Sequence, residues 1–342
     1  MNKTVLVTGG TGFVAGWCVV KLLEQGYTVR TTVRNPQKES LVRSSVSRIV
    51  NANERLSVYC ADLTSDDGWD EAMKGCDYVL HVASPMSSKS KNPDDLIIPA
   101  KEGTLRVLRT AAKAVVSRVV FTSSCAAAKP PLAGPDSDND ESLWTNLNDA
   151  NLDTYRRSKI RAERSAWDFM KTCDTGMTLA TVLPGAILGP VLHTESLGSV
   201  QVVSRLLTGR MPGTPRLGFN ISDVRDLADL HLLAMTSPVA AGQRFIGTGD
   251  FLWMKEIAET LRHSLGEAAN KVPRRSLPDL LMRLMARIDP TLRSVTPTLG
   301  RKHNHSSAKA QTLLGWKPRP GKDSVTDCAK SLISSGALQA MK

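Results

Sequence analysis

The sequence predicts an α/β fold in which a doubly wound parallel sheet is followed by a smaller, looser C-terminal lobe. Short, nearly continuous apolar runs alternate with helical patterns through the first half of the chain. This alternation is typical of a parallel sheet that is covered on both faces. A glycine-rich turn separates the first apolar run from the first helical pattern, and Pro, Gly and Ser loosen the alternation beyond Pro184.

Six apolar runs predict the strands of the sheet, at residues 4–7, 27–33, 56–60, 78–82, 118–122 and 179–183. A helix before the fifth strand is expected to cover the sheet with one apolar face, formed by Leu105, Leu108, Ala112 and Val115. His81 lies inside the fourth run, so we interpret it as a packed strand residue.

We divide the chain into a first unit at 1–184 and a second lobe formed mainly by 185–342. A segment near 219–250 is expected to return to the first unit, and it contains a strand-like pair at 219–222 and 244–246. Helical patterns follow at 255–266 and 277–287.

The first strand, turn and helix predict a dinucleotide site. The turn has the spacing Gly9-x-x-Gly12-x-x-Ala15, and the second apolar run completes a βαβ unit. Gly9 and Gly12 let the backbone turn sharply, and the unpaired amides at the helix start, near Phe13 and Val14, suit a pyrophosphate. The pattern therefore predicts the nucleotide-binding unit known as the Rossmann fold.

The end of the second strand favours NADP over NAD. An NAD site usually has Asp or Glu there, but this sequence has Arg34. A guanidinium can hold a 2′-phosphate with two parallel hydrogen bonds, whereas a carboxylate would repel it. Lys38 is a candidate second cation, with a solvated charge at a helix start as the alternative.

The following strand ends supply further candidate cofactor contacts, because ligands bind at the carboxyl ends of parallel strands. After the third strand, Asp62 could accept from the adenine amino group, with Leu63 beside it. The small residues Val82, Ala83 and Ser84 follow the fourth strand and leave room for a cofactor. The fifth strand ends in Thr122, Ser123 and Ser124.

Composition narrows the class of protein. The 342 residues carry a net charge of +11, but the basic residues are dispersed without an aromatic-basic motif, so we expect no nucleic-acid partner. The six cysteines form no Cys-x-x-Cys pair and the histidines show no zinc-type spacing, so no metal is predicted. No apolar run of spanning length and no leader is evident, so we expect a cytoplasmic monomer or homodimer without membrane contact.

Tyr155 and Lys159 are the candidate catalytic pair. They lie one helical turn apart, on the stripe that Ala162, Ala166 and Phe169 continue toward the sheet. A hydride arriving at a carbonyl carbon leaves negative charge on the oxygen, which needs a proton donor and hydrogen-bond donors. Lys159 is expected to lower the pKa of Tyr155 and could hold the nicotinamide ribose, and Ser124 could donate to the substrate oxygen.

With these residues, the sequence resembles the extended short-chain dehydrogenase/reductase family, and within it the dihydroflavonol reductase-like branch. The resemblance includes the glycine-rich turn, the Tyr155-x-x-x-Lys159 pair and five further segments, at 118–124, 140–144, 183–190, 222–228 and 314–319. It implies an NADPH-dependent reductase of aldehydes or ketones with a Ser124, Tyr155, Lys159 triad.

The resemblance also implies further site residues. Ser123 would lie beside the nicotinamide, and Pro184 and Ile187 would line its ribose and ring. Met86, Lys129 and Leu192 would border a small or medium hydrophobic carbonyl substrate. Plant flavonoid reductases have Asn where this chain has Lys129, and cinnamoyl-CoA reductases have a motif that 152–156 lacks, so neither plant substrate is supported.

Two other functions stay open at this point. One is a sugar-nucleotide epimerase or dehydratase on the same fold, although such enzymes usually have an acidic residue at the Arg34 position. The other is a protein that senses NADP without turnover, although such relatives typically lose the tyrosine and lysine pair.

Overall fold

The structure is a computed structural model that describes residues 3–86, 92–195 and 198–340, without the side chains of residues 53, 290, 291, 339 and 340. In chain order, its strands are β1 (Thr4–Val7), β2 (Thr28–Val33), β3 (Leu56–Cys60), β4 (Tyr78–His81), β5 (Arg118–Thr122), β6 (Ser137–Asn139), β7 (Thr178–Pro184), β8 (Ala186–Leu188), β9 (Thr214–Pro215), β10 (Gly218–Asp223), β11 (Arg244–Gly247), β12 (Phe251–Trp253), β13 (Ser276–Leu277) and β14 (His303–His305).

The helices between these strands lie mostly where the alternating sequence pattern requires crossovers. In chain order they are α1 (Phe13–Glu24), α2 (Glu39–Ser47), α3 (Trp69–Met73), α4 (Asp94–Lys113), α5 (Thr154–Met170), α6 (Gln201–Leu207), α7 (Val224–Thr236), α8 (Met254–Leu265), α9 (Asp279–Met285), α10 (Pro290–Val295), α11 (Ala308–Leu314), α12 (Gly321–Ser334) and α13 (Ala337–Ala340).

Seven of the described strands form one parallel sheet in the order β11-β7-β5-β4-β1-β2-β3. Side chains alternate between its faces, so that Val5 and Val7 of β1 pack with α1, α2 and α7, whereas Leu6 packs with α3, α4 and α5. Both faces are therefore covered, which confirms the predicted doubly wound sheet. The chain reverses direction across the sheet between β1 and β4, where ligands bind in such folds.

The second lobe has its own sheet and core. Strands β8, β10 and β12 form a three-stranded sheet, which packs with α6, α8 and α12. Two pairs of short strands, β9 with β13 and β6 with β14, complete the described sheets. The segment expected to return near 219–250 contributes α7 and β11 to the first unit, while β10 and β12 belong to the smaller sheet.

Three local predictions were wrong in detail. The runs at 219–222 and 244–246 do not pair with each other, because 244–247 extends the main sheet beside β7. Val115 does not cover the sheet, since α4 ends at Lys113 and Val115 takes a left-handed conformation with φ of 56° and is 75% exposed. The pattern at 277–287 contains strand β13 and the shorter helix α9.

None of the helices that the structure describes is long and apolar enough to cross a lipid bilayer.

Candidate active site

The glycine-rich turn between β1 and α1 forms a cradle at the sheet edge. Gly9 has a left-handed φ of 77°, and a Cβ there would lie 3.0 Å from the Cβ of Ala83. Gly12 is the N-cap of α1 and provides no side-chain cap. The turn therefore combines close backbone approach with an uncapped, twelve-residue helix, and these residues fit a pyrophosphate.

The cradle is held from below by one hydroxyl. The Thr8 Oγ1 accepts hydrogen bonds from the backbone N–H groups of Val82 and Ala83, at 3.0 and 2.9 Å. It also lies 3.0 Å from Nδ1 of His81. A hydroxyl has one proton and two lone pairs, so Thr8 donates to Nδ1 and the ring proton of His81 is on Nε2.

His81 is fully buried and stacks on Phe121, which confirms that it is a packed strand residue. Burial, aided by the charge of Lys159, lowers the pKa of His81 to about 3, so the ring is neutral. Its Nε2 has no hydrogen-bond partner among the residues that the structure describes.

Arg34 lies at the end of β2 with an exposed side chain, next to the segment that follows β3. Burial opposes ionisation of Asp62, but hydrogen bonds from Thr64 and the charge of Arg34 lower the pKa of Asp62 below its usual value. Both the backbone N–H and the hydroxyl of Thr64 donate to the same Asp62 oxygen, at 2.8 and 2.7 Å. Leu63 lies against Gly103 of α4.

Lys38 is paired in this structure. Its ammonium donates to the carboxylate of Glu195 at 2.8 Å, and both side chains are about half exposed. Glu195 belongs to a segment that continues from Pro190 over α1 and α2. Trp17 donates to the Pro190 carbonyl at 2.9 Å, and Arg48 donates to the Leu192 carbonyl at 3.0 Å.

Leu192, which was expected to border the substrate, belongs to the same segment. Its side chain is buried in the core that contains α1, directly against Gly16. Met86 is 58% exposed after β4, and Lys129 lies beyond the turn that follows β5. Leu192 thus packs against α1, which begins at the glycine-rich turn. The spacing of residues in the sequence does not reveal this apolar contact.

The structure brings Ser124, Tyr155 and Lys159 together at the carboxyl end of β5. Ser124 caps a short turn, where its hydroxyl accepts from the N–H of Ala126 at 3.1 Å. Asp153 caps α5 and thereby fixes the first turn, which carries Tyr155. Burial raises the pKa of Tyr155, and the nearby Ser124 hydroxyl acts in the opposite direction.

Lys159 lies one turn deeper than Tyr155. It is 4% exposed, and its ammonium donates to the Thr122 carbonyl at 3.3 Å. Burial lowers the pKa of Lys159 to about 8, while the carboxylate of Glu163 acts in the opposite direction.

The expected effect of Lys159 on Tyr155 was wrong for the protein without ligand. Burial raises the pKa of Tyr155, and the groups that oppose this are the Ser124 hydroxyl and the charge of Arg156. The reason is that Lys159 points inward, to the Thr122 carbonyl. Tyr155 therefore stays protonated at neutral pH and can act as a proton donor.

A buried ion pair, which the sequence did not predict, lies one helical turn beyond Lys159. The carboxylate of Glu163 is fully buried and lies 2.8 Å from the Arg244 guanidinium of β11. It also accepts from Thr181 of β7 at 3.0 Å and from the Ser123 hydroxyl. Ser123, expected beside a nicotinamide, thus directs its hydroxyl to Glu163. The sequence signal that could have indicated this pair is a carboxylate one helical turn beyond Lys159, on the stripe of α5 that faces the sheet.

Arg244 extends the network to the loop that precedes α5. It donates to the carbonyls of Glu141 and Leu143, at 2.6 and 2.9 Å, and lies 3.7 Å from the ring centre of Trp144. The Glu141 carboxylate in turn accepts from the N–H of Ile246 at 2.8 Å. The loop at 141–144 is therefore fastened to β11.

The remaining predicted cofactor residues lie around the same edge. Val82 and Ala83 follow β4, with Ser84 next in the chain, and Thr122 ends β5. The Thr122 hydroxyl lies 2.7 Å from Nε2 of the buried His231. Pro184 ends β7, and Ile187 is in β8 of the second lobe.

The chain is similar in sequence to one protein family and to reductases of plants. The model of the NAD dependent epimerase/dehydratase family matches residues 5–246. Cinnamoyl-CoA reductase 2 from Arabidopsis thaliana is 37% identical over 266 residues, which cover 76% of this chain and 77% of the relative. Dihydroflavonol 4-reductase from Zea mays is 33% identical over 277 residues, which cover 76% and 73%.

A solved structure resembles the chain over nearly its whole length. The yeast methylglyoxal/isovaleraldehyde reductase Gre2, in complex with NADPH, superposes with a TM-score of 0.79 at 26% identity. The alignment covers 98% of this chain and 99% of that protein.

The buried pair predicts strong coupling between two substitutions. Glu163→Gln or Arg244→Met alone leaves an uncompensated buried charge, and each should reduce the free energy of unfolding by about 3–5 kcal/mol. The double variant Glu163→Gln/Arg244→Met removes both charges. Its loss of unfolding free energy should therefore be clearly smaller than the sum of the two single losses. Urea titration of the four proteins measures this coupling, and additive losses would contradict it.

Proposed function

Because the chain belongs to the NAD dependent epimerase/dehydratase family, we propose that it is an NADPH-dependent reductase of small or medium hydrophobic aldehydes or ketones. The expected resemblance to the extended short-chain dehydrogenase/reductase family, in its dihydroflavonol reductase-like branch, is confirmed by the relatives. The observation that carries the proposed reaction is that Ser124, Tyr155 and Lys159 lie at the carboxyl end of β5, in the same sheet as the strand that precedes the glycine-rich turn.

The chain's own residues would divide the work between binding and proton transfer. Gly9 and the start of α1 hold the cofactor diphosphate, and Lys159 holds the nicotinamide ribose. NADPH supplies the hydride when it is bound. Tyr155 gives its hydroxyl proton to the carbonyl oxygen, and Ser124 donates a hydrogen bond to the same oxygen as negative charge develops there.

Protonation states favour the direction of reduction. Burial keeps the Tyr155 hydroxyl protonated, as a proton donor requires. Lys159, with a pKa of about 8, is charged at neutral pH and would support the charge that forms when Tyr155 gives up its proton. Binding of the ribose would draw the Lys159 ammonium toward the reacting groups.

Arg34 supports the choice of NADPH. Its guanidinium is exposed at the end of β2, where a 2′-phosphate would lie, and it is not held by an ion pair in the described structure. Lys38 could join it only by leaving Glu195. We therefore assign Arg34 the main part in recognising the phosphate.

The rival readings predict different behaviour. A sugar-nucleotide epimerase would return its hydride to the product and consume no cofactor, and an NADP sensor would bind without turnover. The protonated Tyr155 and the exposed Arg34 favour the reductase.

Tyr155→Phe tests the proton donor. The variant lacks only the hydroxyl, so NADPH binding should persist while kcat for carbonyl reduction falls by about 10²- to 10⁴-fold. NADPH fluorescence measures binding, and loss of NADPH absorbance with an aldehyde measures turnover. Full activity in the variant would show that Tyr155 is not the donor.

Arg34→Leu tests the cofactor assignment. Without the guanidinium, the KM for NADPH should rise by about 10- to 100-fold while the KM for NADH changes much less. Arg109→Leu, which removes an exposed charge from α4, is the matched control and should leave both values near those of the unmodified protein. An equal change for both cofactors in Arg34→Leu would refute the role of Arg34.

A further inference from the structure

Lys129 carries an ammonium group without a partner among the described residues. Its backbone is fixed, since its N–H donates to the Thr145 hydroxyl at 2.7 Å, and the one proton of that hydroxyl is shared between the carbonyls of Ala126 and Lys129, at 2.8 and 3.0 Å. The side chain is partly buried, yet its Nζ makes no hydrogen bond or ion pair with any residue that the structure describes. A cation withdrawn from water without a counter-charge is costly.

The residues around Lys129 do not neutralise it. Burial and the charge of Arg156 lower the pKa of Lys129 to about 8, whereas Cys125 and Asp153 act weakly in the other direction. Arg156 and Asp153 form an ion pair with each other, so their charges cancel. Burial raises the pKa of the Cys125 thiol to about 12, so it is neutral.

The two histidines near Lys129 are also neutral and already occupied. His305 accepts from the Asn220 amide through Nδ1 and donates through Nε2 to the Ala128 carbonyl, at 3.1 and 3.0 Å. His303 is placed similarly, between the Ser137 hydroxyl and the Leu132 carbonyl. Burial lowers the pKa of both rings, that of His305 to about 4. One positive charge, that of Lys129, is therefore left over.

Lys129 lies on the catalytic side of the sheet edge. It follows the short turn that begins at Ser124, and the charges of Asp153 and Arg156 act on both Lys129 and Tyr155.

We infer that Lys129 is the anion-binding residue of the substrate site, and that the preferred substrate is an aldehyde or ketone that also carries a carboxylate. The inference rests on the proposed reductase function. A carboxylate on the substrate supplies the counter-charge that the described residues do not, and the hydrogen bonds of the Lys129 backbone fix the point from which its side chain extends. The carboxylate thereby orients the carbonyl toward Ser124 and Tyr155.

The experiment compares aldehydes that differ only in charge. The probes are para-formylbenzoate and meta-formylbenzoate, each against its methyl ester, with NADPH consumption as the readout. The unmodified protein should prefer at least one acid over its ester by about 10-fold or more in kcat/KM. In Lys129→Met the ratio of acid to ester should fall by about 10- to 100-fold, and Lys129→Arg should retain part of the preference.

The control and a second variant keep the result interpretable. Lys74→Met removes an exposed charge beyond α3, away from the site, and should leave the preference unchanged. If Lys129→Met fails to fold, Lys129→Asn removes the same charge. Turnover of the esters without preference for either acid, or a preference in Lys129→Met equal to that of the unmodified protein, overturns the inference and leaves the reductase function standing. Absence of turnover with every probe overturns the reductase function as well.

Discussion

The buried ion pair of Glu163 and Arg244 is the interaction on which the geometry of the site depends. It joins α5 to β11, and through Ser123 and Thr181 it includes the ends of β5 and β7. A buried carboxylate needs full pairing, so these elements have one arrangement in which every charge is satisfied. Because α5 also carries Tyr155 and Lys159, the same pair fixes these proposed catalytic residues relative to β5, which Ser124 follows.

A second constraint acts at the cofactor end. The Thr8 hydroxyl accepts two backbone N–H groups and donates to His81, which holds the segment after β4 against the glycine-rich turn. Gly9 leaves no room for a side chain against Ala83. The glycine-rich turn and the proposed proton donor thus lie at the carboxyl edge of one sheet. Rigid placement of both partners is what hydride transfer requires.

Local patterns predicted the strands of the sheet and the inward stripe of α5, because each depends on periodicity within one element. The stripe of Tyr155, Lys159, Ala162 and Ala166 follows from helical geometry alone. Contacts between distant segments could not be predicted in this way. Arg244 is 81 residues from Glu163, and Glu195 is 157 residues from Lys38. The packing of Leu192 against α1 could not be predicted for the same reason.

In the proposed reaction, a hydride leaves NADPH and stays on the carbonyl carbon. The most direct test is to supply NADPH deuterated at the transferable position, on one face or the other, and to analyse the alcohol formed from methyl para-formylbenzoate by mass spectrometry. We expect one deuterium at the carbinol carbon for each NADPH consumed, and only when the deuterium is on one of the two faces of the nicotinamide. Conversion of a sugar nucleotide without net consumption of cofactor, or binding of NADPH with no reduced product from any carbonyl, would contradict it.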